Sequence, residues 1–134
     1  MTGATTAFFV YGTLMRGQER ELAWPRRPIR ISKAFTTGEL YDLGDYPAMS
    51  HGDYMIDGEL WEFAPQDMAT TITVLDRIEW YQQDDNDLYI REVVNVTANG
   101  LLVSAYCYFY AILADLTPSI QILPGQDGRC SWRR

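Results

Sequence analysis

The chain has 134 residues, of which 47% are hydrophobic and 22% charged, with a formal net charge of -7. That length suits a single domain, residues 1–134, with a core over about 7–111 and a tail over 117–134, and this composition excludes a disordered chain. The negative charge excludes nucleic acid or an anionic membrane surface as the main partner, because both select basic patches.

Local basic clusters (Arg26, Arg27, Arg30, Lys33 and, in the tail, Arg129, Arg133, Arg134) read as solvated faces. The start, Met1 to Thr6, has neither a basic region nor a long apolar run, so no secretory signal is expected. The longest apolar stretch, Ala105 to Ala114, falls short of the roughly 20 residues that cross a bilayer. Cys107 and Cys130 stand in unlike contexts and suggest no disulfide framework, and His51 is the only histidine, which argues against a metal site. A cytoplasmic, metal-free protein is the expectation.

In chain order, Phe8 to Tyr11 is a run of strand formers that stops at a Tyr11-Gly12-Thr13-Leu14 step. A strand ending in a glycine turn presents unpaired amides at its tip, a ready oxyanion or anion site, and only a residue without Cβ lets a ligand lie against the backbone there. Gln18 to Trp24 is charged and helix-prone, and Pro25 and Pro28 end it. Thr36 to Gly44 and Met55 to Phe63 read as strands that share Gly-Glu-Leu-aromatic, at Gly38 to Tyr41 and Gly58 to Trp61. Glycine inside a strand marks a bulge or bend of the kind a closed barrel needs.

Asp67 is a plausible cap for a helix running to about Tyr81. Met68, Ile72 and Leu75 fall on one helical stripe, and the next member of that series is Glu79. A carboxylate on an apolar stripe either serves a function or swings out to water at the last turn, and the spacing alone leaves both open. Gln82 to Asp87 is an acidic loop without the spacing or glycine of a calcium loop. Leu88 to Val96 and Leu101 to Ala111 are strands joined by Asn99-Gly100, two residues that tolerate the positive φ of a tight hairpin. On the second arm Tyr106, Tyr108 and Tyr110 share one face and Ala105, Cys107 and Phe109 the other, so that strand is covered on both sides. Periodicity is lost after Thr117-Pro118, although Trp132 suggests a pinned tail.

With these pieces in order, the chain resembles the γ-glutamylcyclotransferase-like (AIG2-like) family. The resemblance rests on Phe9 to Leu14, on Gly38 to Gly44 with Tyr46-Pro47-Ala48, on Ile56 to Trp61, on Leu75-Asp76-Arg77-Ile78-Glu79, on Tyr89-Ile90-Arg91 and on the aromatic last strand. It implies an α+β fold: a compact, mostly antiparallel or mixed β-barrel with short flanking helices, and a cavity between the first turn and the helix end. It further implies that Tyr11, Gly12, Thr13 and Leu14 hold a γ-glutamyl group, that Glu79 is the acid/base, and that Tyr89 and Tyr108 line the site. Three departures stand out: Trp80 where glycine is common, the acidic 82–87 loop, and no His or Asn after Gly17.

The implied reaction uses no cofactor. The substrate's own α-amine attacks its γ-carbonyl and releases 5-oxoproline and a free amine, so a small γ-glutamyl compound is the expected partner. Proximity contributes up to about 7–11 kcal/mol to such a ring closure. One carboxylate can move the protons, and the turn amides can hold the oxyanion. The alternative is a non-catalytic member of the fold that binds a small molecule or a protein. A serine or cysteine hydrolase is poorly supported, because no Gly-x-Ser-x-Gly step occurs and Cys107 lies in mid-strand.

Overall fold

The computed structural model describes residues 4–132; the first three residues, and the last two of the expected basic tail, lie outside the described residues. Five strands close on themselves: β1 (Ala7–Val10), β2 (Arg30–Asp42), β3 (Pro47–Glu62), β4 (Tyr89–Ala98) and β5 (Leu101–Tyr110). Around the barrel the order is β2-β4-β5-β1-β3, and β3 pairs back onto β2. Every contact within the barrel is antiparallel except β1 with β5, which is parallel. Two short strands extend the sheet: β6 (Gln121–Ile122) on β2 and β7 (Arg129–Cys130) on β3. One helix, α1 (Met68–Ile78), packs outside.

Alternation sorts the side chains into two clusters. Phe9, Tyr11, Leu40, Met49, Ile56, Leu60, Val96, Ala105, Cys107 and Phe109 fill the barrel. Phe8, Val10, Trp61, Phe63, Met68, Leu75, Tyr89, Tyr108 and Tyr110 fill the layer between barrel and α1. The two faces of β5 therefore belong to different clusters, as its pattern predicts. Met49 and Ile56 have opposite sequence parity and yet both point inward. The reason is the irregularity at Gly38/Glu39: β2 advances one residue there while β3 advances four, from Tyr54 to Ser50. Three extra residues flip the inward set, because side chains alternate with period two. A Cβ on Gly38 would lie 2.8 Å from the Ser50 carbonyl oxygen, so the bulge site requires glycine.

The Asn99-Gly100 hairpin forms with φ of 53° and 76°. Both long strands start earlier than expected: β2 at Arg30 and β3 at Pro47, the latter running through the polar Ser50 to Asp53 of the bulge. The Gln18–Trp24 segment is not a helix but a loop with one 3-10 turn, Glu21–Ala23. Tertiary contacts override its propensity: the Trp24 ring stacks 4.4 Å from Trp61, and its Nε1 donates to the Leu14 carbonyl at 3.0 Å. The expected tail is held in place by β7, with Cys130 and Trp132 buried. Among the described residues no helix is long and apolar enough to cross a membrane.

Candidate active site

The helix end comes first. The expected helix to Tyr81 stops at Ile78, and Asp67 holds the cap position without a capping hydrogen bond; its carboxylate instead lies 3.6 Å from Arg26 Nε. Met68, Thr71 and Leu75 are the buried stripe. At the other end Trp80 N–H donates to the Arg77 carbonyl and Tyr81 N–H to the Asp76 carbonyl, at 3.3 and 2.9 Å. That pair is a Schellman closure, and Trp80 takes its left-handed position with φ of 55°. Glycine is the natural occupant of such a position, which here is Trp80. The closure turns the chain just after Glu79, which follows Leu75 on the inward face and stays half-buried.

The turn after β1 faces it. The carbonyls of Gly12, Thr13 and Leu14 accept from Met15 N–H, Arg20 N–H and Trp24 Nε1 at 3.1, 2.7 and 3.0 Å. The amides of the same three residues donate to no acceptor among the described residues. Glu59, opposite Val10 on β3, anchors the far side of the turn. Its buried carboxylate accepts from Arg16 N–H at 2.9 Å, Arg16 Nε at 3.0 Å and Trp61 Nε1 at 3.1 Å. The reason for glycine at position 12 differs from the expected one. A Cβ there would lie 2.5 Å from Pro47 Cγ, so the residue is small to admit the Pro47 ring rather than a ligand.

Glu79 and the turn line one cavity of about 430 Å³, which also takes in Tyr11, Tyr89 and Tyr108. That volume is in the range of small-molecule sites. Thus Tyr11, Gly12, Thr13, Leu14, Glu79, Tyr89 and Tyr108 all meet on one wall or another. Burial pushes the Glu79 carboxyl up to about 7, and the positive charge of Arg20 partly offsets this. The phenols are each spoken for. Tyr11 donates to the Tyr108 carbonyl at 2.6 Å, Tyr89 to the Pro47 carbonyl at 2.7 Å and Tyr108 to Asp76 Oδ1 at 2.6 Å. Asp76 is in turn paired with Arg91. Burial raises all three phenols further above their ordinary range, so they stay protonated.

The walls include residues that sequence reasoning passed over: Arg20, Tyr46, Pro47 and Asn86. Arg20 stands in the segment after Gly17, and its charge within a helix-prone stretch gave no sign that it lines a cavity. Trp80 is 64% exposed and lines both this cavity and a second depression beside Asp76 and Tyr81.

A closed barrel thus sets a desolvated carboxyl and a row of free amides around one cavity. The chain belongs to the gamma-glutamyl cyclotransferase, AIG2-like family, which it matches over residues 8–132. An AIG2-like protein from Mus musculus shares the fold with a TM-score of 0.64 at 22% identity, over 98% of each chain. YkqA from Bacillus subtilis superposes with a TM-score of 0.61 at 25% identity; the match covers 80% of this chain but 36% of YkqA. A structure described as a gamma-glutamyl cyclotransferase gives 0.52 at 16% identity, over 81% of this chain and 68% of its own. No curated protein sequence matches the chain.

Proposed function

We propose that the protein cyclises a γ-glutamyl amide to 5-oxoproline and a free amine, with Glu79 as the proton shuttle. The observation that carries this reading is a half-buried carboxyl, raised to about 7, lining the same cavity as the unpaired amides of Gly12, Thr13 and Leu14. Near neutrality such a group takes up and returns protons with comparable ease.

The steps balance as follows. Ionised Glu79 accepts a proton from the α-ammonium of the glutamyl head. The freed amine attacks the γ-carbon and forms the ring C–N bond, while the γ-oxygen becomes an oxyanion facing the turn amides. Protonated Glu79 gives its proton to the leaving nitrogen as the oxyanion collapses and the old C–N bond breaks; ionised again, Glu79 takes the second proton from the ring nitrogen and releases it to water. The departing amine takes its second proton from water at neutral pH, so two protons leave one nitrogen and two reach the other. Both reacting groups belong to one molecule, and the cavity's main task is to hold it folded.

The test is incubation with a panel of γ-glutamyl amides, among them γ-glutamyl amino acids and γ-glutamyl-ε-lysine, with chromatographic detection of 5-oxoproline. Release of 5-oxoproline from at least one member, abolished by Glu79→Gln, is expected. A panel that yields none refutes the reading.

A further inference from the structure

Arg20 is a half-buried arginine without an ion pair, whereas Arg27 and Arg77, also without one, are exposed. Arg16, Arg26, Arg30, Arg91 and Arg129 each pair with a carboxylate, on Glu59, Asp67, Glu62, Asp76 and Asp57. Among the described residues no carboxylate lies within ion-pair distance of the Arg20 guanidinium, and no side-chain hydrogen bond ties it down. Nor is it a surface residue waving in water: it is half-buried and lines the cavity. Its backbone is fixed on both sides, with its N–H on the Thr13 carbonyl at 2.7 Å and its own carbonyl accepting from Ala23 N–H at 3.0 Å. A half-buried guanidinium on a fixed backbone, close enough to act on Glu79 yet paired with no carboxylate, suits an anionic ligand.

We propose that Arg20 binds the α-carboxylate of the γ-glutamyl head, and so confines the enzyme to γ-glutamyl amides whose α-carboxylate is free. The proposal rests on the cyclisation reading above and names the residue that selects its substrate. The argument is one of donors and acceptors. A γ-glutamyl head carries an ammonium and a carboxylate on the same carbon, and the cavity carries one acid, Glu79, and one guanidinium, Arg20. The phenols of Tyr11, Tyr89 and Tyr108 have donated their protons to Tyr108, Pro47 and Asp76, so they meet a ligand as acceptors and repel a carboxylate. The turn amides are engaged by the γ-oxygen, where charge develops. The other side-chain donors on the walls, Thr13, Tyr46 and Asn86 among them, are neutral, so the planar fork of Arg20 is the charged donor for the carboxylate and matches that group in shape.

The experiment measures binding of 5-oxoproline and of its α-carboxamide by calorimetry, on the whole protein and on Arg20→Gln and Arg20→Lys. The wild type should prefer the carboxylate. Arg20→Gln should weaken 5-oxoproline binding about 10- to 100-fold while leaving the carboxamide unchanged. Arg20→Lys, which keeps the charge but not the fork, should fall between and serves alone if the glutamine variant does not fold. The same split should appear in KM, more than in kcat, for a γ-glutamyl amide against its α-carboxamide. If Arg20→Gln weakens both ligands alike, or neither, the carboxylate lies elsewhere and the proposal is overturned while turnover of γ-glutamyl amides still stands. If the wild type binds neither compound and releases no 5-oxoproline, the cyclisation reading falls and this proposal falls with it.

Discussion

Replacing Glu79 by Gln should abolish turnover and at the same time stabilise the protein, in a way that depends on pH. The carboxyl has an ordinary value of 4.5 and is raised to about 7 in the folded chain. Below 4.5 both folded and unfolded chains hold the proton, and the group favours neither. Between 4.5 and 7 the unfolded chain releases it and the folded chain does not, so stability falls as pH rises; above 7 both are ionised and the cost levels off. At about 1.4 kcal/mol per pH unit the plateau is about 3 kcal/mol, a ceiling, since the side chain keeps some contact with cavity water. Glutamine has the same shape and does not titrate, so it escapes this cost. The isoelectric point near 4.5 makes pH 5.5 and pH 8 sensible working points. Only about 1.4 kcal/mol of the penalty is present at the lower pH, so the advantage of Glu79→Gln over wild type should grow by up to about 2 kcal/mol between them. Urea unfolding of both proteins in matched buffers reads this directly, and the other carboxylates cancel in the difference. The rate for the wild type should rise with pH through an apparent value near 7, and Glu79→Gln should lose at least about a hundredfold. A stability difference that stays flat from pH 5.5 to 8 would mean that Glu79 ionises like any surface glutamate, and the tuned-base argument would collapse.

Gly12→Ala should destabilise by about 2 kcal/mol in urea unfolding, because the new methyl would overlap Pro47 Cγ at 2.5 Å; Pro47→Ala in the same chain should recover part of that loss, and purely additive effects would show the contact does not matter. At Trp80 the informative comparison is between two variants that both lose the ring. Trp80→Gly should be more stable than Trp80→Ala by about 1 kcal/mol, since φ of 55° favours glycine there; alanine proving the more stable would reverse the left-handed assignment. Glu59→Gln should cost about 2 kcal/mol and lower activity together, because an amide cannot accept from Arg16 N–H, Arg16 Nε and Trp61 Nε1 at once. Unchanged melting and turnover would show that the turn stands without Glu59.

The parts of this molecule legible in the sequence are those decided locally. Asn99-Gly100 carries its own hairpin geometry, the two-faced pattern of β5 carries its double burial, and Met68 and Leu75 carry the direction in which Glu79 points, although the third buried member of their stripe is Thr71 rather than Ile72. What was not legible depends on contacts distant in sequence. The reason for Gly12 is Pro47, the partners of Glu59 are Arg16 and Trp61, and the loop from Gln18 gives up helical structure because Trp24 is drawn onto Trp61 and Leu14. Glu59 had a signal that could have been followed, since an acid between Gly58 and Leu60 in an otherwise apolar strand needs buried donors. Arg20 had none, because its place on the cavity wall comes from where the loop's backbone is pinned to Thr13.

The three tyrosines show how the fold limits the chemistry. Tyr11 ties β1 to β5, Tyr89 ties β4 to the start of β3, and Tyr108 ties β5 to α1 through Asp76. Each hydroxyl proton is consumed in a bond that holds the barrel and the helix together around the cavity. The unpaired backbone donors and the one guanidinium then lie in the segment from Gly12 to Arg20, Tyr46 and Asn86 add neutral donors, and the acceptors lie mainly on Glu79 and on the phenols of β4 and β5. On the proposed cyclisation, a cavity polarised in this way would orient a zwitterionic head in one sense, with its ammonium toward the acceptors and its carboxylate and carbonyl oxygens toward the donors. That orientation would bring the ammonium to Glu79, the acid of the cavity. Selection of the substrate and activation of its nucleophile would then follow from the same distribution of hydrogen-bond capacity, which the structural cross-links of the barrel create.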